Sequence, residues 1–377
     1  MLLAIVAACY AALRVVLTLG LLRRPPRVQQ QPSISIVVAA RDEAESLRRL
    51  LPALLAQDYP DYEVIIVDDR SSDATPALLS DWQERDPRLI AVRIDELPEG
   101  RTPKMYALGE GIARSRGELL LLTDADCRVP SSWAAAMAAM FTPEVGAAIG
   151  YVDLYAAHGT LLEQLQAFDY FTMMAMTAGA TQFGHPLGGA GANLAYRRAA
   201  YDQVGGFAAM PSGAVADDML LVQRVLSQTD WRVTFCDDPR AFIATAAEPT
   251  LAQLIQQRTR WIAGGREVLQ QNKPLLISSA LIGTLNGMLL FWPLWLRRRD
   301  LRGILLLSVV VRVLADLLHF GVAAVRFRRV ALLRYLPLWM IVQPPYMVGL
   351  PLASIGKRWS WKGTENREQR TENSRES

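Results

Sequence analysis

Asp124 and Asp126 stand one residue apart, directly after the apolar run Leu119-Leu120-Leu121-Leu122, which predicts a buried strand. Two carboxylates at a strand end suit a hard divalent cation, which takes oxygen ligands and accepts substrate phosphates as the rest of its shell. A diphosphate held that way becomes a good leaving group, so the pair points to an enzyme working on a nucleotide-activated donor. Such a pair also suits a turn and a helix cap. Lys104 opens the preceding predicted helix, where it either adds positive charge near a phosphate or base or stays a solvated helix residue.

Three more clusters carry chemistry. In Val67-Asp68-Asp69-Arg70-Ser71-Ser72-Asp73, a carboxylate at a strand end accepts hydrogen bonds from a base imide or a ribose hydroxyl, unless the group only caps and starts the next helix. Asp217-Asp218 precede the apolar helical run Met219 to Leu226. They fit either a helix N-terminus, where the macrodipole favours acids, or a general base that takes the proton of an attacking hydroxyl. Gln257, Arg260 and Trp261 share one face of a helix by their spacing. There Arg260 suits the charge of a departing diphosphate, and Trp261 offers a flat surface to a sugar ring; a basic amphipathic helix at a membrane has the same composition. The run Gly188-Gly189-Ala190-Gly191-Ala192-Asn193 does not complete a dinucleotide fingerprint, because Leu194 falls where a small residue is needed. It fits a close-packed loop that lets backbone approach a ligand.

The elements that must position these groups alternate. Strands are predicted at 33–40, 63–68, 89–94 and 118–123, with helices at 43–57, 75–85 and 104–115 between them. That rhythm means right-handed crossovers and a mostly parallel sheet, an α/β domain. Such sheets bind ligands beyond the carboxyl ends of their strands. Arg41 and Glu43, Asp68 and Asp69, and Asp124 and Asp126 all fall there. Further helices are predicted over 161–183, either in the core or along a membrane surface, and over 251–270. The tail from Thr364 is charged, lacks apolar residues and is predicted to be disordered.

The chain has 377 residues, of which 51% are hydrophobic, and these are unevenly spread. Met1 to Leu22 is apolar except for Arg14, and three more apolar stretches follow at Leu275–Leu296, Gly303–Val325 and Ala331–Ile355. Each is long enough to cross about 30 Å of hydrocarbon. Arg23, Arg24 and Arg27 follow the first stretch, the order of a signal anchor with its C-terminal end in the cytoplasm rather than of a cleaved signal peptide. The expected organisation is an N-terminal span (1–22), a linker (23–32), a catalytic domain (33–270), a membrane region of two to three spans (275–356) and a polar tail (357–377). A net charge of +3 gives no nucleic-acid footprint. Cys9, Cys127 and Cys236 are too few and too scattered for a disulfide framework or a zinc site.

Taken in order, the clusters resemble those of membrane-bound family 2 glycosyltransferases with a GT-A fold, a group that includes cellulose, hyaluronan and poly-N-acetylglucosamine synthases and ceramide glucosyltransferase-like enzymes. The resemblance covers about residues 33–265 and the flanking spans. It implies that Asp68 and Asp69 bind the nucleotide, and that Asp124 and Asp126 form a DxD pair holding Mg²⁺ or Mn²⁺. Asp217 and Asp218 match the late acidic pair, and Gln257, Arg260 and Trp261 match a Q-x-x-R-W motif that contacts acceptor or diphosphate. Arg41 and Glu43 join the nucleotide-sugar set by their place at a strand end, and Lys104 by opening the helix before the acid pair. Residues 191–198 are similar to the family's acceptor-side loop. The late pair is usually Glu-Asp and is Asp-Asp here; Asp218 matches its second acid, so the base is assigned there. The implied reaction is an inverting transfer from a nucleoside diphosphate sugar, most simply a UDP-sugar, in an integral protein of the inner or plasma membrane.

One span before the domain and at most three after it are few for a single-chain polymer channel, whose walls must shield polar sugars from lipid. That favours a lipid or lipid-linked acceptor. An oligomer that builds a pore keeps the processive polysaccharide synthase open, and a catalytically inactive scaffold or a metal-dependent nucleotidyltransferase would keep similar acids. Three full crossings after the domain would place Lys357, Arg358 and Lys362 outside, against the positive-inside tendency. One stretch is therefore expected to be re-entrant or interfacial, with Pro293 and Pro344-Pro345 as candidate breaks.

Overall fold

The computed structural model describes residues 1–189, 191–211, 217–354, 360–361 and 364–365; the side chains of Asp217, Asp218, Arg266 and Glu267, and those from Ser354 onward, lie outside the description. The first apolar run is α1 (Leu2–Leu22). Then β1 (Ile34–Ala40), β2 (Tyr62–Asp69), β3 (Leu89–Ile94) and β4 (Leu119–Leu122) alternate with α2 (Ala44–Leu55), α3 (Thr75–Arg85) and α4 (Pro103–Ala113). All eight residues of β2 and all four of β4 are buried. Such runs belong to strands covered on both faces by crossover helices.

The rest of the domain is α5 (Trp133–Ala138), β5 (Val145–Gly150), β6 (Val152–Tyr155), α6 (Leu161–Thr181), β7 (Leu194–Arg197), α7 (Arg198–Gln203), α8 (Asp217–Gln228), β8 (Arg232–Cys236), β9 (Ile243–Ala246) and α9 (Leu251–Gln271). The main sheet runs β3-β2-β1-β4-β7-β5-β8. β1 pairs in parallel with both β2 and β4, and β7 is antiparallel to β4 and β5. The chain steps outward from β1 to β3 and then returns to β1's other side as β4. That reversal opens a crevice beyond the carboxyl ends of β1 and β4, where an open α/β sheet binds its ligand. β6 and β9 pair in a separate two-stranded parallel sheet.

The helix predicted over 161–183 is a core element. α6 starts at a capping box between Thr160 and Glu163 and buries Phe168 and Phe171. α1 crosses it so closely that a β-carbon at Gly20 would land on the Gly179 carbonyl oxygen.

The C-terminal region is α10 (Lys273–Leu290), α11 (Trp292–Arg297), α12 (Arg302–Arg326) and α13 (Leu336–Ser354). Among the described residues three helices are long and apolar enough to cross a membrane: Leu2–Leu22, Lys273–Leu290 and Arg299–Arg326. The stretch predicted at 275–296 breaks at Phe291, with Pro293 in the first turn of α11. The stretch predicted at 331–355 is a 3₁₀ segment, Val330–Tyr335, followed by α13, which holds Pro344, Pro345 and Pro351. It is not among those three helices. α13 packs on α10 and also on α9 and α6 of the α/β domain, with Trp339 on Phe168 and the Tyr346 hydroxyl donating to Asp169 Oδ2 at 3.2 Å. Most of the predicted polar tail lies outside the described residues; Ser360–Trp361 and Thr364–Glu365 pair as two short strands.

Candidate active site

The loops after β1 and β2 are laced together. The Ser72 amide donates to Asp42 Oδ1 at 2.7 Å, and the amides of Asp42 and Glu43 donate to Ser71 Oγ and Thr75 Oγ1 at 2.9 and 3.0 Å. The Ser72 amide bond is the chief cause holding the Asp42 carboxyl below its ordinary range. Asp42 has a φ of 53°, the left-handed region that Asp tolerates because its short side chain bonds locally. This lacing fixes Arg41 and Glu43 at the mouth of the crevice.

After β4, Asp124 accepts an ion pair from Lys104 Nζ at 2.7 Å. Asp124, Asp126 and Cys127 bring their ligand atoms within 4.8 Å of one another. Asp126 keeps an exposed surface, yet the protein around its carboxyl, then the charges of Asp124 and Glu43, push its pKa up. Carboxylates crowded this way favour a bound cation. The oxygen pair suits Mg²⁺ or Mn²⁺. A thiol is a poor partner for so hard a cation, and burial, then the charges of Asp124 and Asp126, drive the Cys127 thiol well above its usual range.

The far wall comes from α9 and the turn before it. Glu248 is latched to α6: its N–H donates to Gln166 Oε1 at 3.0 Å and its C=O accepts from Gln166 Nε2 at 2.9 Å. The Glu248 carboxylate in turn accepts from Gln257 Nε2 at 2.7 Å, while Gln257 Oε1 is buried with no partner among the described residues. Between these walls lies a cavity of about 390 Å³ lined by Arg41, Glu43, Lys104, Asp124, Asp126, Gln257 and Arg260. Glu248, Gln253 and Gln256 also line it. Sequence reasoning missed those three, for Glu248 sits in an ordinary Glu-Pro-Thr turn with no periodic signal.

Other predicted residues lie elsewhere. Asp68 is buried and paired with Arg93, and Asp69 is buried with Arg70 Nε at 2.7 Å. Neither is among the cavity-lining residues. Trp261 is not among the cavity-lining residues: Arg258 lies over its ring at 4.1 Å, Tyr170 is 5.8 Å away, and Arg258 pairs with Asp169 at 3.0 Å. Asp217 and Asp218 open α8, which packs against α9, but their side chains lie outside the described residues. In the glycine-rich run a β-carbon at Gly189 would meet Met219 Sδ at 2.5 Å, so the close approach there is to α8; Ala190 lies outside the described residues.

A reversed-order α/β sheet with an acid pair at its crevice is the GT-A arrangement, and a solved structure bears this out. The chain is similar to a mannosyltransferase from Pyrobaculum calidifontis, determined with GDP-mannose and Mn²⁺, with a TM-score of 0.52 at 19% identity over 86% of this chain and 98% of that one. The model of glycosyl transferase family 21 matches residues 1–369, and the chain belongs to that family. It is 26% identical to a poly-beta-1,6-N-acetyl-D-glucosamine synthase of Staphylococcus epidermidis over 64% of this chain and 56% of the relative. It is 30% identical to a beta-monoglucosyldiacylglycerol synthase of Synechocystis over 62% of this chain and 48% of the relative. The chain thus spans about half the length of the curated relatives it matches.

Proposed function

We propose that this protein transfers a sugar, with inversion, from a nucleoside diphosphate sugar (UDP-linked) to a lipid or lipid-linked acceptor at the membrane. The observation that carries the proposal is the cavity itself: residues from positions 41 to 260 converge on one space with two acids at its floor and Arg41, Lys104 and Arg260 around it. Asp124 and Asp126 would hold Mg²⁺ or Mn²⁺, which when bound offsets negative charge on the leaving diphosphate. Lys104 and Arg260 add fixed positive charge beside that diphosphate. Gln257, held by Glu248, presents its amide to donor or acceptor. Asp218 takes the acceptor proton as its oxygen attacks the anomeric carbon; the contact of α8 with α9 supports a place near the cavity. Asp68 and Asp69 serve the base or ribose after giving up Arg93 and Arg70, and Trp261 supports α9 from behind while remaining within reach of an acceptor.

α13 packs on α10 as well as on α9 and α6; its three prolines favour an interfacial place, which leaves α1, α10 and α12 as the crossings. α1 and α12 both end beside the catalytic domain. With that domain in the cytoplasm, Lys357, Arg358 and Lys362 then stay on the cytoplasmic side, as the positive-inside tendency asks. The beta-monoglucosyldiacylglycerol synthase among the relatives supports the lipid acceptor. The poly-N-acetylglucosamine synthase among the relatives keeps the processive reaction as the second reading.

Membranes holding the protein, incubated with radiolabelled nucleotide sugars, should release a nucleoside diphosphate and place label in organic-soluble lipid. Label in long insoluble polymer would establish the second reading, and released pyrophosphate would remove sugar transfer altogether. Asp218→Asn should lower the rate by about 10² to 10⁴-fold; an unchanged product would point to a scaffold.

A further inference from the structure

A second cavity, of about 700 Å³, lies where two of the apolar helices end. It shares no lining residue with the donor cavity. Its lower wall is Leu21 and Leu22 from the end of α1 with Val322 and Val325 from the end of α12. Leu22 and Val325 are exposed. Its upper wall holds five arginines, Arg24, Arg27, Arg240, Arg326 and Arg328, against two acids, Asp237 and Asp238.

The two acids are already committed. Asp237 pairs with Arg326 at 2.8 Å and with Arg27 at 3.3 Å, and Asp238 pairs with Arg27 at 2.7 Å and Arg240 at 2.8 Å. Burial raises the Asp238 carboxyl, but the bonds from Arg240 and the charge of Arg27 outweigh it and hold it below the ordinary range, so its charge is kept. The cavity therefore carries a fixed excess of positive charge. Among the described residues Arg24 and Arg328 have no ion pair, and the Nε of Arg326 is buried without a hydrogen-bond partner. Arg328 holds a φ of 56°, a conformation disfavoured for a side chain of its kind. Helix termini explain part of this, since cations favour a helix C-terminus. They do not explain the apolar wall directly beneath.

We infer that this cavity binds the phosphate headgroup of an anionic glycerophospholipid, with the acyl chains lying along Leu22 and Val325. Guanidinium forks match phosphate oxygens, and basic pockets between membrane helices on the cytoplasmic side are suited to such headgroups. The inference rests on α1 and α12 crossing the membrane, and it is independent of which sugar or acceptor the enzyme uses. The bound lipid would tie the ends of both spans to the loop after β8 and so hold the catalytic domain on the bilayer.

The test uses the full chain, purified in neutral detergent and reconstituted in phosphatidylcholine vesicles with or without phosphatidylglycerol at about one lipid in four. Lipid retained after re-extraction is measured by native mass spectrometry, and thermal stability is followed in parallel. Wild type should retain phosphatidylglycerol over phosphatidylcholine. Arg24→Ala and Arg328→Ala leave the Asp237 and Asp238 pairs intact, and each should cut retention about five-fold. Arg299→Ala lies just before α12, whose 25 residues at 1.5 Å each put it about 37 Å from the cavity end, and should retain lipid as wild type does. Equal retention of both lipids, or equal loss in all three variants, overturns the site. Inorganic phosphate that displaces the lipid and stabilises the protein equally well would show a site for soluble phosphate and overturn the lipid assignment. Sugar transfer need not be measured, so failure here is distinct from failure of the proposed reaction.

Discussion

Gln257 is placed by a relay of single contacts. Gln166 on α6 grips both backbone groups of Glu248, and the Glu248 carboxylate then fixes the Gln257 amide at 2.7 Å. Glu248 is therefore a positioning residue. Glu248→Ala should free Gln257 and lower kcat about ten-fold or more, because misplacing a contact group by about 1 Å is enough for such losses. Glu248→Gln keeps an acceptor oxygen and should recover most of the rate. Steady-state kinetics of the two variants decide this, and equal rates for Ala and Gln would remove the relay. At the same scale, Arg260→Lys keeps the charge but loses the planar fork, and should weaken donor turnover while leaving the fold intact. An unchanged rate would mean Arg260 acts only as a point charge.

Two elements stand out by the polar groups that fix them. Glu163 at the start of α6 accepts from the Thr160 and His158 amides at 2.9 and 3.2 Å. Burial raises its pKa, but His158 and these amides outweigh burial and hold it at about 2 against an ordinary 4.5. The folded state thus prefers the carboxylate. Its stabilisation is complete above about pH 4.5 and fades as pH falls toward 2. Urea midpoints at about pH 6 and pH 3 should differ less in Glu163→Gln than in wild type, and parallel losses would contradict the assignment. Inside the bundle, Asp316 on α12 accepts from Tyr10 on α1 and lies 3.0 Å from Arg14 Nε. Asp316→Ala leaves buried Arg14 and Arg312 without their acid and should cost about 3 to 5 kcal/mol, seen as a lower melting temperature in detergent. The alternating half of the domain was legible because each strand is a clean apolar run bounded by turn residues: β3 and α3 fall where periodicity places them. β7 was not, since Leu194–Arg197 is four residues long and its partners β4 and β5 lie far off in sequence. The place of Asp124 and Asp126 at a strand end was legible, and both line the cavity, whereas the ion pairs of Asp68 and Asp69 depend on Arg93 and Arg70 turning toward them, which spacing does not reveal. Arg312, Asp316 and His319 repeat on one face of an apolar helix, a signal that marks a polar interior between spans.

For the whole molecule the decisive joint is the crossing of α1 over α6. No side chain separates the two backbones there, because Gly20 faces the Gly179 carbonyl and Gly179 faces the Leu17 carbonyl. Close backbone approach through small residues is how helices pack where lipid removes the hydrophobic drive. α1 is no part of the sheet and does not line the cavity of Asp124 and Asp126, so on the proposed topology α1 would set how the domain sits on the bilayer. Gly20→Leu should push α1 off α6 at a cost of about 1 to 3 kcal/mol. The contacts of Tyr10 and Arg14 with α12 keep the span in the bundle, so the domain tilts rather than detaches. Binding of a UDP-sugar, followed by calorimetry, should then match wild type, while transfer to a membrane-held acceptor falls about ten-fold or more. Loss of both together would mean that α1 shapes the donor cavity itself. Loss of neither would mean that the crossing only fills space, and that the bilayer position of the domain is set by the arginines around Asp237 and by α13.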